Sequence, residues 1–350
     1  MPITTRRTLL RHTALGAACG LLALPAGLWP VRPLQAASPV VPGLLYAVGQ
    51  KFDRSFNEGA LAGAERFAQA TGAKTVEFLP QSPAEFERGI QGLARHKVTD
   101  VAVIGFYYAT PLAQVAPRYP AVRFTLVDAV VEAPNVRSVV FKEHEGAFLT
   151  GVLAALASKT GTIGFIGALD IPLIRRFIAG YTQGARHARP DARVLVNFVG
   201  TTPAAFNDPA TGTEVAVSQI QRGADVLFAG AGTSNFGVFA TAKDKGVLAI
   251  GVDSNQNGLY PGTILTSMLK RVDRAVEGTF QAAASGTWAP GTVALGLAGD
   301  GVGLAIDDNN RPLLTPAMLE RVDAARAAII QGRITVADTL PPADAAGTPP

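Results

Sequence analysis

From about residue 40 onward, short runs of aliphatic and β-branched residues alternate with stretches whose apolar positions recur at helical spacing. The runs predict strands over Leu44–Gly49, Lys74–Leu79, Asp100–Phe106, Arg123–Asp128 and Val136–Phe141, with helices over about Glu58–Ala70, Pro83–His96 and Pro111–Arg118. A helical segment, Glu143–Ser158, leads into a second series. Its strands are Thr162–Ala168, Arg193–Val199, Asp225–Gly230 and Leu248–Asp253, and its helices Pro172–Ala188, Thr213–Arg222 and Phe236–Lys245. Such alternation predicts an α/β protein with doubly wound parallel sheets. Two series of similar length predict two similar lobes with a cleft between them. A further strand, Thr263–Lys270, a helix, Val272–Ala284, a β-like stretch, Val293–Leu304, and a helix, Pro316–Gln331, imply that the chain crosses back between lobes late. The expected division is 38–158 with about 260–288 in the N-terminal lobe, 159–258 with about 289–335 in the C-terminal lobe, and a tail from 336 to 350. That tail is Pro/Ala/Gly-rich from Pro341 and is expected to be disordered.

The first 37 residues depart from this pattern. Arg6-Arg7-Thr8-Leu9-Leu10 precedes the small and apolar run Thr13–Trp29, and Gln35-Ala36-Ala37 offers small residues for cleavage. That order predicts an export signal of twin-arginine type and a periplasmic protein. The run is short for a membrane span, which needs roughly 20 residues. Cys19, the one cysteine, lacks a leucine three positions upstream, which argues against a lipid anchor there. The leader also accounts for the basic balance. It holds four of the 31 basic residues and none of the 27 acidic ones, so the body is formally neutral. Nothing in that balance points to nucleic acid.

Familiar catalytic constellations are missing from the sequence. There is no G-x-S-x-G elbow or P-loop, and His96, His144 and His187 are scattered without metal-ligand spacing. No cofactor or metal is expected. The candidate chemistry lies where strands end, the edge at which parallel sheets bind ligands. After the first strand comes Asp53-Arg54-Ser55-Phe56-Asn57, offering a carboxylate, a hydroxyl, a ring and a carboxamide. Read alone, Ser55 with Glu58 also spells a capping box, with Asp53 and Asn57 as turn residues. Asp128 and Asp253 each terminate an apolar strand, where a loop-start or capping role competes with ligand binding. Lys270 ends another strand and could reach a ligand or one of these acids. Phe206, in the polar loop Thr201–Asp208, either stacks on a planar ring or anchors the loop. Gly232 lies in Gly230-Ala231-Gly232-Thr233-Ser234-Asn235, a tight loop suited to close backbone approach or simply to turning.

Several segments in order resemble the basic membrane protein, or PnrA-like nucleoside-binding, family of ABC-transporter substrate-binding proteins. They are Asp53–Asn57, Glu145-Gly-Ala-Phe-Leu-Thr-Gly151, Ile163–Gly167, Phe177-Ile-Ala-Gly-Tyr-Thr-Gln-Gly-Ala185, Gly223–Val226, Ile250–Gln256 and Thr263–Lys270 with Val272–Val276. The similarity spans about 40 to 305. It implies a type I periplasmic binding fold, in which two Rossmann-like lobes hinge around one ligand, and a non-enzymatic receptor that hands a purine nucleoside to an ABC permease and its ATPase subunits. Membrane contact would come only through the permease. By motif position, Asp53, Phe56 and Asn57 would face the ligand from the first lobe, Asp128 would bond the base and Phe206 would stack on it. Asp253 and Lys270 would hold the ribose hydroxyls, and Gly232 would allow close approach. The chain departs from the family pattern at Leu61, near where many relatives carry Trp or Phe, which implies one-sided stacking. A receptor for a sugar or a modified base, and a secreted nucleoside hydrolase, are the alternatives.

Overall fold

The structure is a computed structural model and describes residues 39–340. The segment 1–37, expected to be an export signal, and the segment 341–350, expected to be disordered, lie outside the described residues. The first sheet contains β1 (Pro42–Leu45), β2 (Val76–Phe78), β3 (Asp100–Ile104), β4 (Arg123–Val127), β5 (Val136–Phe141) and, much later, β11 (Gly291–Leu295). The second contains β6 (Thr162–Gly167), β7 (Arg193–Phe198), β8 (Val226–Gly230), β9 (Leu248–Asp253), β10 (Ile264–Lys270) and β12 (Val302–Leu304). The orders are β2-β1-β3-β4-β5-β11 and β7-β6-β8-β9-β10-β12, so the two sheets share one strand order. Every pairing is parallel except β12 with β10. These strands read as near-continuous apolar runs because helices cover both faces of each sheet. This is the two-lobed type I periplasmic binding fold.

The helices are α1 (Phe56–Thr71), α2 (Phe86–Arg95), α3 (Ala109–Val115), α4 (Glu143–Ala157), α5 (Pro172–Ala188), α6 (Pro209–Gln221), α7 (Asn235–Lys245), α8 (Val272–Ala284) and α9 (Pro316–Ile330). Among these described helices none is long and apolar enough to cross a membrane. Helix α8 packs on α1 and against β3 and β4, whereas α4 packs on α5, β6, β10 and β12. The α4–α5 contact explains two of the sequence motifs. A Cβ at Gly180 would come within 2.0 Å of the His144 carbonyl oxygen, and one at Gly151 within 2.1 Å of that of Tyr181. Only glycine lets these backbones touch, and the close approach fixes the middle of α5 beside the start of α4.

The expected lobe boundaries need correcting. Strand β10 belongs to the second sheet, where it pairs with β9, and β11 belongs to the first, where it pairs with β5. Helix α4, placed by sequence in the N-terminal lobe, packs with the second sheet. The chain therefore crosses between sheets after Phe141, after Lys270 and after Leu295. The stretch Val293–Leu304 is not one strand: Gly296, Gly299 and Gly301 break it into β11 and β12, which go to different lobes. The tail is also ordered further than predicted. Val336 is buried in the core, and the backbone of Ala337 exchanges two hydrogen bonds with the Gln183 side chain.

Candidate functional site

The carboxyl ends of strands from both sheets converge on one cavity of about 900 Å³, open solvent included. Asp53, Phe56, Asn57, Asp128, Phe206, Gly232, Asp253 and Lys270 all line it. The structure thus brings together the eight residues expected to face a ligand, and it shows what their polar side chains are already bonded to.

The loop before α1 is tied down by its own side chains. The Asp53 carboxylate accepts the backbone N–H groups of Ser55, Asn57 and Glu58 at 2.9–3.0 Å. It therefore satisfies donors that the first turn of a helix would otherwise leave orphaned. Asp53 caps the helix, and Ser55 with Glu58 does not; Glu58 instead accepts the Arg54 N–H. Burial raises the Asp53 pKa, and the three N–H groups work against that rise. The Asn57 amide is spent likewise: Oδ1 accepts from the Ala47 N–H and Nδ2 donates to the carbonyls of Ala47 and Gln50. Asn57 shapes the cavity wall through the backbone it holds.

Asp128 and Asp253 follow β4 and end β9, the fourth strand of each sheet counted from the β2 or β7 edge. Both adopt the left-handed region, with φ of 76° and 66°, a strained state for a non-glycine residue that Asp tolerates better than most. Asp128 Oδ2 accepts a hydrogen bond from Lys270 Nζ at 2.7 Å, while Oδ1 is buried with no partner among the described residues. Asp253 Oδ2 instead accepts from Ser55 Oγ at 2.7 Å, a bond that reaches across from the second lobe to the first.

Lys270 is 4% exposed and stands where β10 crosses toward α8. Besides Asp128 it meets Glu143 Oε1 at 3.1 Å, an ion pair that falls short of hydrogen-bond geometry, and Glu143 in turn faces Arg176 at 3.5 Å. The rings of Phe141, Phe56 and Phe177 lie 5.2, 5.3 and 5.9 Å from the ammonium, within cation–π range. Burial pulls the Lys270 pKa down, but Asp128, Glu143 and Asp253 outweigh it and hold the lysine above its usual range. Burial pushes Asp128 up against the pull of Lys270, and pushes Asp253 up to about 6 against Lys270 and Ser55.

Phe206 is half-buried on the short turn Pro203–Asn207. Gly232, with φ of 59°, makes room for that turn: a Cβ there would sit 2.7 Å from the Phe206 carbonyl oxygen. The close approach expected of Gly232 is thus made to the Phe206 loop. Sequence reasoning missed Phe106 and Tyr107 after β3 and Phe177 in α5, all of which line the cavity. Phe106 had been read as the end of a strand, although the strand-end rule that found Asp128 applies equally to it. Leu61, where stacking was expected to fail, is packed in the core. Aromatic rings line the cavity from both lobes without it. Among the described residues, no group of His, Cys, Asp and Glu has a metal-holding arrangement.

This architecture agrees with known proteins. The profile of the family described as ABC transporter substrate-binding protein PnrA-like matches residues 41–339. The chain belongs to that family, one of substrate-binding proteins and not of enzymes. An uncharacterized lipoprotein of Pyrococcus horikoshii is 36% identical over 272 residues, 74% of this chain and 67% of that protein. An ABC transporter nucleoside-binding protein, BmpA, of Lactococcus lactis subsp. cremoris is 31% identical over 308 residues, covering 81% and 85%. The crystal structure of an ABC transporter solute-binding protein from Aeropyrum pernix superposes with a TM-score of 0.77 at 29% identity, covering 85% of this chain and 93% of that one.

Proposed function

We propose that this protein is an exported receptor that binds a purine nucleoside between its lobes and presents it to an ABC permease driven by ATPase subunits. The observation that carries this reading is the lining of the cavity. It combines aromatic rings from both lobes, which suit a planar base, with Asp128 and Asp253, which as carboxylates only accept hydrogen bonds and so suit ring N–H groups and a vicinal diol. No arginine lines it, and Lys270, its one cation among the described residues, is already paired. That argues for a neutral ligand over a phosphorylated one. The name of the Lactococcus relative supports the nucleoside class. In this reading Phe206 and Phe56 stack on the base, Asp128 bonds its edge, Asp253 and Lys270 take the ribose, and Asp53, Asn57 and Gly232 hold the walls in place.

Export agrees with the leader and with the name of the Pyrococcus lipoprotein. The argument against a lipid anchor at Cys19 finds no support in that relative. Thermal-shift screening of purine nucleosides, free bases and sugars tests the ligand class. Purine nucleosides at 100 times their Kd should stabilise the protein by about 2.7 kcal/mol. Stabilisation by a sugar and by no nucleoside would overturn the reading in favour of a sugar receptor.

A further inference from the structure

We propose that Tyr107 is a further recognition residue of the cavity, its hydroxyl hydrogen-bonding the edge of the bound ring while its side chain seals the lobes together; this deepens the nucleoside reading and rests on it. Tyr107 follows β3 at the carboxyl end of the first sheet and lines the cavity. Its ring lies 3.9 Å from that of Phe106 and 6.3 Å from that of Phe86, and it packs on the apolar core of the first lobe. The same side chain also packs on the apolar cluster of the second lobe that Phe206 joins. It is therefore a first-lobe residue that touches both cores beside the ligand space.

Its hydroxyl is the second observation. Tyr107 Oη is buried and has no hydrogen-bond partner among the described residues, which a polar atom out of water avoids unless something else is to bond it. Other first-lobe tyrosines show the contrast: Tyr46 Oη donates to Glu77 and Tyr108 Oη to the Tyr46 carbonyl. Tyr181 also has an unpartnered hydroxyl, but it is enclosed in the second-lobe core against Phe165 and Phe228 and does not line the cavity. Burial pushes the Tyr107 phenol up to about 12. It stays neutral at physiological pH and can both donate and accept, as the mixed edge of a purine requires.

The variant Tyr107→Phe keeps the ring and removes the hydroxyl. Calorimetry with adenosine, guanosine and inosine, which differ along the ring edge, should show Tyr107→Phe weakening at least one by about three- to tenfold, and the three unequally. Unchanged affinities, or one equal loss for all three, would overturn the assignment. If the parent protein binds none of the three, the nucleoside reading fails by itself. The same comparison is then made with whichever free base or sugar raises the parent's Tm, and an unchanged affinity again rules Tyr107 out. Unfolding without ligand gives an independent reading. A hydroxyl with no protein partner predicts that Tyr107→Phe is at least as stable as the parent, and a clear drop in Tm would show that the group is bonded within the protein.

Discussion

Asp128 and Asp253 occupy matching positions at the ends of β4 and β9, share a left-handed backbone and face one cavity, yet they serve opposite ends of the molecule's energetics. Asp128 is locked to Lys270, whose other neighbours are Glu143 and three aromatic rings. Lys270 and Glu143 flank two of the three crossings between lobes, so this buried cluster is part of the hinge. Asp253 has no cation in hydrogen-bond contact; it is held by a neutral hydroxyl from the opposite lobe and titrates near 6. Repetition of a topology thus supplied two equivalent carboxylates, and their neighbours made one structural and left the other free to titrate. A buried ion pair contributes little net stability relative to apolar packing, but removing one partner is expensive because the other charge remains. A half-buried carboxylate without such a partner costs little to replace.

That contrast predicts unequal mutational effects. Lys270→Met should be the most damaging, because it strips Asp128 of its paired cation and leaves it beside Glu143, which keeps only Arg176 at 3.5 Å. A loss of about 3–5 kcal/mol is expected, together with loss of binding. Asp128→Asn should cost about 2 kcal/mol, since Glu143 still pairs with the lysine. Urea denaturation of both variants measures this, and stability at the parental level in either would show that the hinge cluster is not a coupled unit.

Asp253→Asn should do the reverse, sparing the fold and harming the site. Its carboxyl has a folded-state pKa raised above the unfolded value near 4. The native state therefore binds more protons between about pH 4 and 6, and the contribution of this group to stability falls as pH rises through that window. Replacing it should leave the ligand-free protein at pH 7.5 as stable as the parent or up to about 1 kcal/mol more so. Ligand affinity should fall about ten- to a hundredfold through loss of a charge-assisted bond. The parent's affinity should itself decline below pH 6, by up to about tenfold per unit, while Asp253→Asn shows a flat profile. Titration calorimetry across pH 5–8 separates these outcomes, and a parental affinity independent of pH would remove Asp253 from the set of ionised acceptors.

Much of this was legible in the chain, and the failures have physical causes. Strand-end residues such as Asp128, Asp253 and Lys270 could be found because period and position alone place them at the ligand edge of a parallel sheet. The helix-capping role of Asp53 was hidden because a capping box two residues later, Ser55 with Glu58, satisfied the local rule equally well. Lobe membership after residue 260 was illegible for a different reason. Which sheet accepts β10 or β11 depends on non-local pairing, and an apolar strand carries no mark of its partner. Tyr107 and Phe177 escaped notice because an aromatic beside a strand end or within a helix reads as core until the facing lobe is known.

The smallest predicted effect tests the link between the two lobes most directly. Ser55 sits at the start of α1, but Asp53 does the capping there, so Ser55→Ala should leave the helix intact and remove only the hydroxyl's contacts across the cleft, to Asp253 at 2.7 Å and the Val252 carbonyl at 3.2 Å. A loss of about 1 kcal/mol in stability is expected. Because that hydroxyl holds the Asp253 pKa down, its removal should also move the midpoint of the affinity–pH curve upward from about 6. Amide exchange in the first turn of α1 should stay as slow as in the parent. Faster exchange there with an unmoved midpoint would mean that Ser55 supports the helix and not the carboxylate across the cleft.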